Sequence, residues 1–244
     1  MEIAGALAGF PRVAPRSVAT RIRESLVARI KTMRNLGLIG GLGPGATVHY
    51  YQELAKTRPG ELLIVHADVD RVLRDVEQGD RTGLAEYLAR LIERLANGGA
   101  ELAAISAIAP HICIRELEKI SALPLVNVIQ EVEAEIRSRG YRKVALFGTR
   151  IVMESRMFGM LEAIDVVVPE YVETIHRIYM HIVSGAREGR TVLSEIARNL
   201  SVDAIVLAGT DLSLVFDETN TDFPHVDCAK VHIQAIARDL RASS

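Results

Sequence analysis

This sequence of 244 residues has few cysteines, little net charge and no long apolar run. The formal net charge is only −2, which gives no broad electrostatic reason to expect a nucleic-acid partner. No apolar run approaches the ~20 residues that a membrane-spanning helix needs. The two cysteines, Cys113 and Cys228, lie far apart and lack the spacing of zinc ligands, so neither a disulfide framework nor a metal site is predicted. We therefore expect a globular cytoplasmic protein without metal, membrane or nucleic-acid partners.

The first 32 residues differ in charge from the rest of the chain. They contain six basic side chains and only two acidic ones. This arginine-rich composition is compatible with an organellar transit peptide, but it lacks the apolar core of a secretory signal. We predict a basic, disordered and dispensable N-terminal extension over residues 1–32, with Met33 as an alternative start of the folded chain.

From Leu36 onward, short apolar runs alternate with amphipathic patterns, which is typical of βαβ units and a mainly parallel sheet. The runs predicted as strands are Leu36–Ile39, Leu62–Val65, Leu102–Ile105, Leu125–Ile129, Val144–Phe147, Asp165–Val168, Ala204–Leu207 and Phe223–Val226. Apolar residues at helical spacing between these runs predict helices that bury one face. The clearest such stripe is Leu84, Leu88, Leu91, Ile92 and Leu95.

An internal repeat predicts two similar halves. The strand, tight loop and helix start of residues 37–47 recur at 144–155, and residues 103–112 have a counterpart at 205–214. We expect two parallel-sheet α/β domains related by a pseudo-twofold axis, one of residues 33–123 plus 224–244 and the other of residues 124–223. Ligands of open α/β sheets bind beyond the carboxyl ends of the strands, so the loops at these ends should face a cleft between the domains.

The loop after the first strand contains Gly40, Gly41 and Gly43, followed by Pro44. Backbone N–H groups exposed at the start of a helix favour an anion. The spacing is neither that of a dinucleotide-binding fingerprint nor that of a P-loop, and a turn that simply needs glycine is an equally good interpretation. Thr47 offers a hydroxyl to the same anion or caps the helix.

Two loops of the second half offer further polar groups. Thr149 follows a strand and either binds a carboxylate or caps a helix. Thr210 and Asp211 follow the strand at 204–207. The Asp211 carboxylate is a candidate for holding an ammonium group, with an exposed loop acid as the alternative.

His111 and Cys113 lie where a helix is predicted to begin after Pro110. His111 is a candidate proton carrier, since the ordinary pKa of histidine is near ~6.5, or else makes a structural hydrogen bond. Cys113 lies where a helix dipole favours a thiolate, or else is a small buried residue. His66 closes a strand and is a candidate for the cleft lining, whereas His176 and His181, in the stretch around Tyr179, are predicted at a surface or interface.

Three segments together carry a family resemblance. GLIGGLGPGATVHYYQEL near the start, ALFGTRIVMES in the middle and DAIVLAGTDLSL near the end resemble the aspartate/glutamate racemase family, within the broader group that includes hydantoin racemases. The resemblance runs from about Met33 to the C-terminus. It implies a two-domain α/β fold, no cofactor and a homodimer. We expect a small carboxylate or amino-acid substrate, and the loops described above offer Gly41, Gly43, Thr47, Thr149 and Thr210 as the residues that bind it. The resemblance also implies an isomerase in which one cysteine removes the α-proton and a second, on the opposite face, returns one.

The sequence departs from that pattern at both cysteines. Ala107 and Gly209 stand where the resemblance calls for thiols, and neither can exchange a proton. Three interpretations stay open. The protein racemises its substrate through other groups, with Asp211, His111 and Cys113 as catalytic candidates; it catalyses a different lyase, cyclase or isomerase step; or it binds a carboxylate without turnover.

Overall fold

A computed structural model describes residues 33–241. The predicted N-terminal extension, residues 1–32, lies outside this range. Within residues 33–241, no helix is both long enough and apolar enough to cross a membrane.

The first half is a parallel sheet wrapped by helices. Its strands are β1 (Leu36–Gly40), β2 (Leu62–His66) and β3 (Leu102–Ile105), in the order β2-β1-β3. Its helices are α1 (Pro44–Lys56), α2 (Val69–Gln78), α3 (Arg81–Asn97) and α4 (Ile114–Ile120), with a 3-10 turn at Ala109–Cys113.

The second half repeats this plan after α5 (Val128–Ser138). Its strands are β4 (Lys143–Phe147), β5 (Asp165–Val167), β6 (Ala204–Leu207) and β7 (His225–Asp227), all parallel and in the order β5-β4-β6-β7. Its helices are α6 (Arg150–Glu154), α7 (Val172–Val183), α8 (Arg190–Arg198) and α9 (Cys228–Arg241), with 3-10 turns at Met157–Gly159 and Thr210–Leu214.

The two sheets share one connectivity. In each half the first strand is central, the second pairs on one side of it, and the third pairs on the other. Leu36 pairs with Leu62 and Leu102, and Val144 pairs with Val166 and Ala204 in the same way. The predicted fold class, two similar parallel α/β units with pseudo-twofold symmetry, is confirmed.

The fourth strand differs between the halves. Residues 125–129, predicted as a strand, contribute only a bridge from Leu125 to Ala103. Asn127 ends the extended segment because its side chain accepts the N–H of Ile129 and caps α5. The corresponding strand β7 is complete and joins the second sheet, and α9, which follows it, contacts α1 and α5. The C-terminal segment therefore ties the halves together, and the predicted boundaries at 123/124 and 223/224 stay predictions.

Side chains alternate across β1 because successive residues of a strand point to opposite faces. Leu36 and Leu38 lie in one apolar cluster with Tyr50 of α1, whereas Ile39 lies in the other cluster, with the buried faces of α2 and α3. The predicted apolar stripe of α3 is buried throughout. This packing holds the carboxyl ends of β1 and β3 in fixed positions, where the cleft begins.

Candidate active site

A cavity of about 300 Å³ lies at the carboxyl ends of the strands of both sheets. Its wall combines the glycine loop after β1, residues 107–110 after β3, Ala208 after β6, and one face of α7. Ligands of open α/β sheets bind at this edge, so the cavity is the first candidate for the site.

The cavity wall is mostly apolar. Among the described residues that line it, three side chains carry nitrogen or oxygen atoms: His66, Thr149 and Tyr179. Thr149 precedes α6 but makes no capping hydrogen bond, and its buried Oγ1 has no partner among residues 33–241. A buried hydroxyl without a partner costs free energy unless a ligand or a water molecule supplies one. Thr149 is therefore the best-placed group to receive a polar part of a ligand.

A side-chain carboxylate of the protein occupies the start of α1, where a ligand anion was expected. Asp211, fully buried, accepts the N–H of Ala46 through Oδ1 at 3.0 Å. A side chain on Gly43 would collide with this carboxylate, so the residue must be glycine for space as well as for its φ of 132°. The helix start that the sequence marked as an anion site thus contains Asp211, supplied from the other half of the chain.

The ionisation of Asp211 is strongly perturbed. Burial raises its pKa from the ordinary 3.8 to about 6, against the opposing effects of the Ala46 N–H and of Arg187. Its Oδ2 has no hydrogen-bond partner among residues 33–241 and lies against Gly43, whose backbone forms part of the cavity wall. A carboxyl group with a pKa near neutrality is suited to proton transfer.

Thr47 and Thr210 make their hydrogen bonds within the protein. The Thr47 hydroxyl accepts the N–H of Gly41 at 3.0 Å and donates to the carbonyl of Gly43 at 3.1 Å, which closes the glycine loop. The Thr210 hydroxyl donates to the carbonyl of Ser106 at 3.0 Å and joins the loops of the two halves. Both residues shape the site, and neither lines the cavity.

Tyr179 occupies the space next to Gly209. A Cβ on Gly209 would lie 2.6 Å from Tyr179 Cζ and 2.9 Å from Cδ2. Gly209 has an extended backbone, with φ of −139°, so steric space and not backbone conformation requires glycine here. Burial, together with the charge of Asp211, raises the pKa of the Tyr179 phenol well above its ordinary value, which keeps the hydroxyl protonated.

His111 is buried next to His232, with the two ring centroids 6.2 Å apart. Its Nδ1–H donates to the carbonyl of Ala107 at 2.8 Å, and its Nε2 has no partner among residues 33–241. His232 donates from Nε2 to the carbonyl of Val126 and accepts the hydroxyl proton of Tyr50 at Nδ1, each at 3.0 Å. Burial lowers the pKa of His111 to about 3 and that of His232 to about 4, so both rings are neutral near pH 7.

The two thiols are not brought to the cavity. Cys113 donates from Sγ to the carbonyl of Pro110 at 3.2 Å, and burial raises its pKa to about 12. Cys228 is fully buried at the start of α9. Among residues 33–241, no group of three or more His, Cys, Asp or Glu side chains is arranged to hold a metal ion.

A family model described as Asp/Glu/Hydantoin racemase matches residues 39–236. The match includes the end of β1, every other strand of both sheets and every loop around the cavity. The chain belongs to this family. Family and fold together support a function of the Asp/Glu racemase type.

Several solved structures share the fold. An aspartate racemase homologue from Pyrococcus horikoshii is 24% identical with a TM-score of 0.71, over 85% of this chain and 99% of that one. An aspartate racemase from Picrophilus torridus is 20% identical with a TM-score of 0.70, over 85% of this chain and 94% of that one. A glutamate racemase from Thermus thermophilus is 18% identical with a TM-score of 0.58, over 86% and 81%. At these identities the likeness establishes the fold alone.

Within this family, the two positions at which the resemblance expects thiols have different surroundings. Ala107 lines the cavity, whereas Gly209 is covered by the ring of Tyr179. The sequence analysis assigns no role to Tyr179, so its place in the cavity wall was missed. The available signal was the spacing Ile175, Tyr179 and Ile182, which puts the tyrosine on the buried stripe of α7.

Proposed function

We propose that this protein is a cofactor-independent isomerase that binds a small carboxylate substrate in the cavity and moves its α-proton without thiols. The observation that carries the proposal is the buried, unpartnered Oγ1 of Thr149, a residue in the wall of a cavity at the strand ends of both sheets. A carboxylate oxygen of the substrate would accept the Thr149 proton and satisfy that buried group.

Two neighbouring groups supply the base and the hydrogen-bond donor in this proposal. Asp211, with its pKa raised to about 6 by burial, is the candidate base, since a carboxylate of that pKa is well matched to proton transfer near neutrality. The Tyr179 hydroxyl is the candidate donor to the enolate-like charge that develops as the α-proton leaves. Oδ2 of Asp211 lies behind the backbone of Gly43, so the proposal requires a small opening of this wall when substrate binds.

His111 and Cys113 remain catalytic candidates from the sequence alone. Neither lines the cavity, and the pKa of each is moved away from neutrality, to about 3 for His111 and about 12 for Cys113. A group that titrates this far from pH 7 is a poor general acid or base there. The assay below, applied to alanine variants, tests both residues.

A second candidate function is carboxylate binding without turnover. Ala107 and Gly209 favour it, because neither position provides a group that exchanges protons. A one-way lyase or cyclase step on the same carboxylate would need proton transfer on one face only, which a single acid and a single base can supply.

Proton NMR in D₂O tests these alternatives. The purified protein is incubated with the L and D forms of several amino acids, and with carboxylates that lack an amino group, while the α-proton signal is followed. Loss of that signal with formation of the other enantiomer supports the isomerase; new products without it support a lyase or cyclase. A raised melting temperature without exchange supports the binding protein.

Two variants and one control connect the result to the site. Asp211→Asn and Tyr179→Phe remove the proposed base and donor while preserving shape, and each should lower the exchange rate by about 10²-fold or more. Tyr171→Phe is the matched control, because Tyr171 is 55% exposed at the start of α7 and does not line the cavity. Equal losses in all three variants would contradict the assignment.

A further inference from the structure

The cavity wall contains no charged side chain. Eighteen described residues line it, and none of them is Asp, Glu, Lys or Arg. Its inner part is formed by buried aliphatic side chains from α2, α6 and the loop after β3. They are Val72, Val152 and Ile108.

Such a wall does not suit a second carboxylate. A ligand carboxylate that enters it loses water and meets no cation, which is strongly unfavourable. An apolar group of the ligand gains free energy in the same space in proportion to the apolar surface that it buries. The inner wall thus favours a ligand whose buried part carries no charge.

The polar end of the ligand has a defined place. A second cavity adjoins the first and shares Leu73, Ala109, Thr149 and Met180 with it. Among the described residues that line the two cavities, Arg150 is the single lysine or arginine. It is paired with Glu173 at 2.8 Å, and Glu77 and Glu154 also line the second cavity. Both members of the pair are exposed, and such surface pairs contribute little free energy. A ligand carboxylate at Thr149, where the cavities meet, would therefore take the place of Glu173 on Arg150.

Apolar residues at the entrance extend the same pattern. Leu73 is 40% exposed and Met180 is 36% exposed, and both line the two cavities. An apolar group of a ligand in the cavity would cover part of both side chains and gain free energy from the area buried.

We infer that the ligand is a monocarboxylate with a bulky apolar group, aryl or branched alkyl, and not a dicarboxylate. The carboxylate lies at Thr149 beside Arg150, and the apolar group fills the cavity of about 300 Å³. This inference rests on the proposed carboxylate site and names the class of ligand that the site accepts.

Isothermal titration calorimetry with the full chain tests the inference. The probes are 3-phenylpropionate, glutarate as a dicarboxylate with a chain of similar length, and 3-phenylpropanamide as the uncharged counterpart of the first. We expect 3-phenylpropionate to bind at least tenfold more tightly than either of the others.

Two charge-introducing variants make the test specific. Leu73→Arg places a cation at the entrance and should reduce the preference for 3-phenylpropionate over glutarate at least tenfold. Val192→Arg is the matched control, because Val192 is 42% exposed on α8 and lines neither cavity; it should leave the preference unchanged. Thr149→Val should weaken the acid and leave the amide unaffected.

The outcomes separate the inference from the proposed function. Tighter binding of glutarate than of 3-phenylpropionate would overturn the inference and leave the carboxylate site intact. Equal binding of the acid and its amide, or no binding of any probe to folded protein, would overturn the carboxylate site and the inference together. If the preference for 3-phenylpropionate over glutarate changes equally in Leu73→Arg and Val192→Arg, the ligand does not bind in this cavity.

Discussion

Restoring the second thiol should be destabilising unless Tyr179 is removed at the same time. A Cβ on Gly209 would lie 2.6 Å from Tyr179 Cζ, which is 0.8 Å short of the 3.4 Å at which ordinary van der Waals contact begins. Tyr179 is itself buried, so the ring cannot turn aside without disturbing α7. Overpacking of this kind costs about 1–3 kcal/mol, and we expect Gly209→Cys to lie in or above that range.

A double-mutant cycle isolates the steric conflict. Tyr179→Ala alone should cost about 3–5 kcal/mol, as for other buried aromatic side chains. In the double variant the cysteine enters the space that the ring has left. The double variant should therefore lose about 1–3 kcal/mol less free energy of unfolding than the sum of the losses in the two single variants. Urea unfolding followed by circular dichroism gives all four free energies of unfolding.

Ala107→Cys is the matched control for the new thiol. Ala107 already has a Cβ and lines the cavity, so an added sulfur has room and the cost should stay below about 1 kcal/mol. The reasoning fails if Gly209→Cys is as stable as the original protein. It fails equally if the sum of the losses in the two single variants agrees with the loss in the double variant to within about 0.5 kcal/mol.

The buried titratable groups lead to three further predictions. Asp211→Asn should raise the free energy of unfolding at pH 8 by up to about 3 kcal/mol, because burial raises the Asp211 pKa from 3.8 to about 6. The stabilising contribution of the raised pKa is complete below pH 3.8 and is lost as the pH rises through 6, and the asparagine variant does not lose it. Urea unfolding at pH 8 and pH 4 checks this, and a difference that does not change with pH would contradict it. His232→Gln should reduce the loss of stability on acidification, because burial lowers the His232 pKa from 6.5 to about 4, so that its contribution is complete above pH 6.5 and is lost as the pH falls through 4. Melting temperatures between pH 4 and pH 8 test this, and parallel curves for the variant and the original protein would count against it. Cys113 and Cys228 should react with a thiol reagent at pH 8 only after unfolding, since both are buried and burial raises both pKa values; rapid labelling of the folded protein would refute this.

Much of the fold could be read from local patterns. Hydrophobic runs of strand length, such as Leu36–Ile39, and a helical stripe, such as Leu84 to Leu95, depend on residues a few positions apart, and both appear as predicted. The repeat of residues 37–47 at 144–155 correctly indicated two sheets of one connectivity. Residues 125–129 were the exception, because capping by Asn127 ended the strand early.

The candidate site was less accessible to such patterns. Asp211 and Thr149 were both marked from the sequence as polar residues that follow strands. The same patterns could not distinguish Thr47, whose hydroxyl closes the glycine loop, from Thr149, whose hydroxyl has no partner in the described part of the chain. Both threonines lie near the start of a helix that follows a strand, and only the surrounding packing separates their roles.

The sequence by itself determined the α/β class, the paired halves, the strand-end position of the loops and the lack of cysteine at 107 and 209. Each of these depends on residue identity or on short-range periodicity. The tertiary structure decided that Asp211 occupies the start of α1, 165 positions away in the chain, and that Tyr179 fills the space beside Gly209. It also decided that the cavity wall is apolar. These features arise where distant segments pack against one another, and steric exclusion and burial act between those segments irrespective of their separation in the chain.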